Sequence, residues 1–592
     1  MTDSDLSSDQ KAVLASSVHL VEACPGAGKT RAIVARFRAR CGDGGRGVAL
    51  LSFTNAAVDE ALKRASDDPS LLTSPNFVGT FDGFLHRYVV TPWHRRTRAK
   101  TPTYLDSWDD LPETWTTVRH AHVSGSGLAL SSFSPNADGH LEYALEPPIR
   151  DGQYVAQLRN ASVKLTPLDL APQASKKTQD LIAAGIFDCD HARVQALSIL
   201  NDPDIDWLRQ RLANRFEEII IDEFQDCSVI EHELVAGFRA LGINVVVVAD
   251  PDQSIYAFRR ATPAAFAEYK AKLRSDELVV LNQNYRSTEA ICEVVTSMRS
   301  ISTERIISAA SFEGVATAER VFIAVGSPEY QRKVFISAVE DLGISLSSSI
   351  VLSPTRTGAA NLSGEPRTDE IGNGNTGKLV RSLATLESSR TVANRKEAVS
   401  RASRVLLGSF EWTDELARAG TQARLEALDI LASYLNLVVH DLLVRARSWT
   451  MPEQVNVSIM ETIRTRFVDI SIPLVALGHR FQKIKVEDWT FWQASVFNGI
   501  PGLPSLHIHA VKGREFDAVM LDIPNKRRPG KAHVLDDWET KVLSEPLRVL
   551  YVGASRARRL LVLATTPRHE EQIRRILESN GIDAEFVVES HD

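Results

Sequence analysis

The stretch ACPGAGKT, residues 23–30, follows the apolar run VHLVEA and precedes TRAIVARFRAR, whose apolar spacing is helical. No other stretch restricts the possible folds of this chain as much. In such a loop glycines let backbone N–H groups converge on anionic oxygens, a lysine neutralises terminal phosphates, and a hydroxyl ligates magnesium. Gly26, Gly28, Lys29 and Thr30 suit those roles, with Cys24, Pro25 and Ala27 completing the loop. Its place between a strand and a helix puts the anion at a helix N-terminus, where the dipole favours negative charge. Ala23 stands where the general pattern begins with Gly, so the segment alone also fits a glycine-rich turn without chemistry. The expectation is a parallel α/β domain that binds a nucleoside triphosphate.

Alternation carries that expectation along the chain. GVALLSF, NAAVDEALKRA and NFVGTF continue the strand and helix rhythm to about residue 90. FEEIIID (216–222) and INVVVVAD (243–250) are dense in branched apolar residues, as strands covered on both faces are. Residues 91–205, rich in Trp, Pro and Ser, break the rhythm and read as an insertion. After LVVLNQNYRS a second α/β block is expected from RVFIAVG and SSSIVLSPTR, resumed by LHIHAVKGREFDAVMLD and RRLLVLATT. The expected organisation is a first α/β domain from 1–90 and 206–277, with 91–205 inserted, and a second from 278–361 and 491–592. Residues 362–490 form a helical insertion opened by a turn-rich loop, LSGEPRTDEIGNGNTGK. A chain of 592 residues needs such a division, because single cores stop growing at roughly 250–300 residues.

Other classes are disfavoured. No stretch approaches the roughly 18 apolar residues that span a bilayer, and MTDSDLSSDQK lacks the features of a secretory signal. A cytoplasmic location without a membrane partner is expected. The five cysteines, Cys24, Cys41, Cys189, Cys227 and Cys292, form no CxxC pair, which argues against zinc or an iron–sulfur cluster. A net charge of -7 gives no overall attraction to nucleic acid, so any such binding must use local basic surfaces. HRRTRAK (94–100) and NKRRPGK (525–531) could follow a phosphate backbone, although a solvated surface explains either alone.

IIIDEFQD adds chemistry to the phosphate loop. A carboxylate pair ending a buried strand can place Asp222 on magnesium, through water, and Glu223 beside an attacking water as general base. A merely exposed strand end would explain the pair alone, but not its combination with ACPGAGKT.

These two motifs belong to an ordered series: SSDQKAVL, ACPGAGKT, LLSFTNAAVDEALKR, VGTFDGF, IIIDEFQD, VVADPDQSIYAFRRA, LNQNYRST, HIHAVKGREFDAV and EPLRVLYVGASRAR. In that order they resemble the UvrD/Rep/PcrA-like helicases of superfamily 1. The resemblance implies an α/β protein with two RecA-like P-loop NTPase domains and inserted accessory subdomains. It implies ATP and Mg2+ as cofactors, and a DNA-dependent ATPase that moves 3′ to 5′ on single-stranded DNA and separates the strands of duplex or forked DNA. Gln10 would read adenine, Tyr285 would stack on it, and Gln253 would sense the γ-phosphate. Arg286 and Arg556, both from the second motor domain, would reach the γ-phosphate, with Glu515 near the nucleotide. For DNA, the resemblance implies base stacking by Phe53, Phe81, Tyr256 and Phe258, which tolerates any sequence. Thr54, Asn55, Thr80, Arg259 and His509 would contact the backbone. Each aromatic, taken singly, also fits a core position.

The chain departs from the family pattern at Arg260, His507, Arg514 and Ser555, where Gly, Thr, Leu and Thr are usual. Its 362–490 insertion is short beside the family's accessory domain. An alternative reading follows: an ATP-controlled DNA-sensing protein that serves a partner nuclease in repair or anti-phage defence, as in Gabija-type systems, and unwinds little itself. A small-molecule kinase would leave Gln253, Arg286 and Arg556 unexplained.

Overall fold

The computed structural model describes residues 6–41, 45–143, 151–161, 164–255, 263–302, 304–364, 374–388, 392–413, 416, 421–497, 503–527 and 532–590. The chain divides into two units, Met1–Arg286 with Arg299–Ala309, and Ser287–Met298 with Ala310–Asp592.

In the first unit, β1 (Leu20–Ala23), β2 (Gly47–Ser52), β3 (Phe77–Thr80), β4 (Phe216–Ile221), β5 (Asn244–Ala249) and β6 (Leu278–Leu281) form one sheet. Its order is β6-β1-β5-β4-β2-β3, and every pairing is parallel. The apolar runs explain why. Ile219, Ile220, Ile221 and Val245 to Ala249 are fully buried, each large side chain contributing roughly 1.5–3 kcal/mol by leaving water.

The second unit's sheet comprises β7 (Val321–Val325), β8 (Ser349–Ser353), β9 (Ser505–His507), β10 (Phe516–Asp522), β11 (Ala557–Thr565) and β12 (Ala584–Val588). It too is wholly parallel, in the order β12-β7-β11-β10-β8-β9. Counted within each sheet, both orders are sixth, first, fifth, fourth, second, third. The expected α/β architecture with two RecA-like sheets is therefore present.

One strand differs from expectation. Leu278–Leu281, assigned from sequence to the second block, pairs in register with β1 from Leu20↔Leu278 to Ala23↔Leu281. It is the first sheet's edge, which its mostly half-buried pattern fits. The sequence shows an apolar run but not which edge receives it. A further strand, AEFVV, forms β12 after a helix, Glu570–Ser579.

The insertions have cores of their own. Trp108, Val118, Leu128, Phe133, Tyr154 and Leu158 cluster within residues 91–205. Helices Gly374–Ser388, Val392–Leu407, Ala432–Ala446, Glu453–Arg466 and Val486–Phe497 surround Leu383, Leu406, Leu442, Ile459 and Trp492. The segment 362–378, expected as a loop, begins within one helix (Arg356–Ser363) and ends within another, where Thr376 is buried. Residues 365–373 lie outside the described residues. Among the described residues no helix is long and apolar enough to cross a membrane.

Candidate nucleotide site

The phosphate loop leaves β1 and runs into α1 (Lys29–Arg40). Cys24 N–H donates to the Leu281 carbonyl at 2.8 Å, fastening the loop to the edge strand. Gly26 and Gly28 have φ of +72° and +74°, the left-handed region that glycine occupies without penalty. Space demands glycine as well. A Cβ on Gly26 would lie 2.6 Å from Asn284 Oδ1, and one on Gly28 would lie 2.7 Å from Gln10 Nε2. Gly28 caps α1 without a side chain, and the first turn holds no acidic residue. That turn suits an external anion.

The carboxylate pair lies at the end of β4. Asp222 N–H donates to the Leu51 carbonyl at 2.9 Å, and Asp222 Oδ1 accepts from Glu223 N–H at 2.9 Å. Glu223 is left-handed, with φ 59° and ψ 36°, a geometry costing a non-glycine residue roughly 1–2 kcal/mol. Its surroundings hold it there. Gln225 Nε2 donates to Glu223 Oε2 at 2.5 Å, and Glu223 Oε1 lies 3.8 Å from Lys29 Nζ. Gln225 Oε1 accepts from Asp250 N–H at 3.0 Å, and Gln253 Nε2 donates to Asp250 Oδ2 at 2.7 Å. One network thus joins the C-terminal ends of β1, β4 and β5. Burial pushes the wholly enclosed Asp250 carboxyl above its usual range, opposed by Lys29 and Arg299. Burial also drives the Cys24 thiol up to about 12, leaving it protonated and inert.

The flanking residues expected from sequence take up varied places. Gln10 is buried; its Nε2 donates to the Ala27 carbonyl at 2.9 Å, and its Oε1 accepts from Ser7 N–H at 3.2 Å. Tyr285 N–H donates to the Gly26 carbonyl at 2.9 Å while the side chain stays 41% exposed, a ring beside the loop with area to offer. Arg286, expected from the second domain, belongs to the first unit. Its N–H donates to Asn284 Oδ1 at 2.7 Å, because β6 carries the chain back alongside β1 before it leaves. Arg556, Glu515 and His509 lie in the second unit. Arg556 is 2% exposed and donates to the carbonyls of Val552 and Arg514 at 3.1 and 3.4 Å. Glu515 is exposed, and His509 sits in a short helical turn, Ile508–Val511.

Thr30 sits in the first turn of α1 and Asp222 directly follows β4, a hydroxyl and a carboxylate that suit a hard cation. Among the described residues no group of three or more His, Cys, Asp or Glu side chains could hold a metal ion. A magnesium ion here would rest on Thr30, Asp222 and phosphate oxygens.

Of the candidate DNA contacts, Phe81 is fully buried in the first unit's core and has no face for a base, contrary to expectation. It supports Phe53, whose ring stacks on it at 5.2 Å and 24°. Thr54 and Thr80 open helices after β2 and β3, accepting from Ala57 and Gly83 N–H at 3.3 and 3.0 Å. Phe53, Asn55 and Thr80 line a cleft of about 1200 Å³ shared with His86, Tyr104 and Arg193. Tyr256, Phe258 and Arg259 lie outside the described residues. The 94–100 cluster fastens the insertion: Arg96 covers the Trp207 ring at 4.5 Å, and Lys100 Nζ donates to the Ala184 carbonyl at 2.8 Å. Of 525–531, residues 528–531 are outside the described set.

Sequence reasoning overlooked Gln225 and Asp250. Their signal was present: polar letters shortly after the apolar runs III and VVVVA, where a buried polar group must find partners.

A glycine loop and a carboxylate pair at neighbouring strand ends of a parallel sheet define a P-loop nucleotide-binding domain of the RecA-like class. Residues 6–274 match the UvrD/REP helicase N-terminal domain. The chain is 28% identical over 296 residues to the ATP-dependent DNA helicase UvrD1 of Mycobacterium tuberculosis, covering 47% of this chain and 37% of that protein. It is 27% identical over 286 residues to DNA helicase II of Escherichia coli, covering 47% and 38%. With the RecB protein of the RecBCD enzyme of Borreliella burgdorferi it shares 38% identity over 85 residues, 14% of this chain and 7% of that protein. The resemblance to UvrD- and Rep-type helicases is thus reproduced, and the matches span well under half of each relative's length.

Proposed function

We propose that the chain is a DNA-dependent ATPase that moves along single-stranded DNA, 3′ to 5′, and separates strands. The observation that carries this reading is the network joining Lys29, Glu223, Gln225, Asp250 and Gln253 at the mouth of the glycine cradle. Bound ATP would supply the phosphoryl group, and a magnesium ion would neutralise the charge that develops on it. The loop N–H groups and Lys29 would hold the phosphates, while Thr30 and Asp222 would hold the cation. Glu223 takes the proton of a water as its oxygen bonds to the γ-phosphorus and the bond to the β-phosphate oxygen breaks. Gln253, tied to Asp250, registers the presence of the γ-phosphate. Gln10 and Tyr285 engage adenine, and Arg286 stabilises the transferring charge. The strand of DNA runs past Phe53, Thr54, Asn55 and Thr80, at the C-terminal ends of β2 and β3, where open α/β sheets bind ligands.

Steady-state hydrolysis with and without single-stranded DNA tests this. Lys29→Ala is expected to lower the DNA-stimulated kcat roughly 10²–10³-fold. Glu223→Gln should slow hydrolysis comparably while nucleotide still binds. Full activity in both variants would sink the proposal.

A second reading is favoured by the similarity to RecB and to a Lactobacillus johnsonii protein whose name joins helicase with nuclease. In it the chain couples ATP turnover to a partner nuclease. Efficient strand displacement by the isolated chain on forked DNA would count against it.

A further inference from the structure

Asp252 directly precedes Gln253 and is wholly buried, yet its oxygens are not offered to the nucleotide. Oδ1 accepts from Ser300 and Ile301 N–H, both at 2.9 Å; Oδ2 accepts from Ser302 N–H and Arg299 Nε, both at 3.1 Å. Arg299, 6% exposed, also donates through Nη1 to the Glu304 carbonyl at 2.7 Å. All four donors belong to Arg299–Ala309, the strap by which the chain rejoins the first unit.

The strap's far end is fixed too. Ile307 and Ala309 N–H donate to the carbonyls of Asn282 and Asn284 at 2.9 and 2.7 Å, and Gln283–Asn284 pairs in parallel with Ile307–Ser308. Asn284 is the residue whose Oδ1 accepts from Arg286 N–H and which a Cβ on Gly26 would strike. The strap therefore joins two flanks of the phosphate loop, one bearing Gln253 and the other Arg286, without passing through the loop itself. Its ends also fix both points between which the chain visits the second unit through Ser287–Met298.

We infer that Arg299, acting through Asp252, is a positioning residue for phosphoryl transfer: it sets the strap so that Gln253 and Arg286 keep one register about the terminal phosphate. A guanidinium suits this task, since it can serve the carboxylate and the Glu304 carbonyl together in a fixed fork. Removing it leaves Asp252 its three backbone donors but loses the fork that ties the carboxylate to the Glu304 carbonyl, so the strap is held less rigidly at the Gln253 flank. The cradle that binds ATP remains, and the alignment that hydrolyses it suffers.

The inference rests on the proposed ATPase activity. The test uses the full chain, with equilibrium binding of a fluorescent ATP analogue, DNA-stimulated turnover and a thermal melt. Arg299→Ala is expected to lower kcat about tenfold or more while Kd for the analogue stays within about threefold. Arg299→Lys, which keeps a cation on Asp252 but loses the fork, should recover part of kcat. Where Arg299→Ala does not fold, Asp252→Asn, which keeps an oxygen for the backbone donors, should show the same split. Wild-type kcat in the Ala or Asn variant would overturn the inference alone. So would binding and turnover that fall together with the melting midpoint, Lys behaving as Ala, since that marks a merely structural anchor. Absence of ATP hydrolysis by the wild-type chain would overturn the inference and the proposed function together.

Discussion

The two sheets share one strand order, yet the ends of their first strands differ in chemistry. In the first unit β1 opens into a glycine cradle headed by Lys29, with no carboxylate in the first turn of α1. In the second unit β7 is followed by Gly326 and Ser327, and then by a helix, Pro328–Asp341. There the chain supplies its own anion. Glu589 accepts from Ser327 N–H at 2.6 Å and from Ser327 Oγ at 2.9 Å, and a Cβ on Gly326 would lie 2.5 Å from Glu589 Oε2. The lesson is that strand order provides a helix N-terminus at this place in both sheets, and that the local side chains, here Glu589, the Ser327 cap and Glu329 in the first turn, fill in the second unit what the first leaves open to a phosphate.

Three substitutions would break or sharpen that contrast. The largest effect is expected from Gly28→Ala, which forces a non-glycine residue to φ +74° and against Gln10 Nε2. ATPase turnover should fall roughly 100-fold, with a loss of stability of about 1–2 kcal/mol by thermal or urea unfolding. Glu589→Ala should act on the other sheet only. About 1 kcal/mol of stability is expected to go with the cap, while ATPase turnover stays within about twofold. An equal loss of turnover in both variants would erase the distinction between the two strand ends.

The smallest effect concerns acid. His232 packs on Phe224 at 4.4 Å, just beyond the carboxylate pair, and burial lowers its pKa to about 4. The unfolded chain takes up this proton near pH 6.5, whereas the folded chain refuses it until about pH 4. Stability from this group is therefore present above pH 6.5 and is lost as pH falls toward 4. His19 and His86 in the first unit and His507 and His569 in the second are lowered by burial as well, so the difference between wild type and His232→Gln isolates the share of this one side chain. A melting midpoint that falls just as steeply in the variant between pH 6.5 and 4 would remove His232 from the account.

Much of this contrast was legible in the chain. Runs such as INVVVVAD and RRLLVLATT have only one comfortable place, between helices in a parallel sheet, and CPGAGKT has few uses besides a phosphate. Edges were less legible, because β6 and β12 are short apolar runs whose partners are chosen by tertiary packing. The same limit separates Phe53 from Phe81. Both are aromatic residues at strand ends, and only the fold shows that one is wholly enclosed while supporting the other. Asp252 and Arg299 left no local trace at all, being 47 positions apart.

The backbone of Glu223 has a further consequence. At φ 59° glycine would sit more readily than glutamate, so this position opposes durability to turnover. Under the proposed function, selection for heat resistance alone would drift toward a sturdier chain without its general base, and the glutamate would mark a place where strain is kept for chemistry.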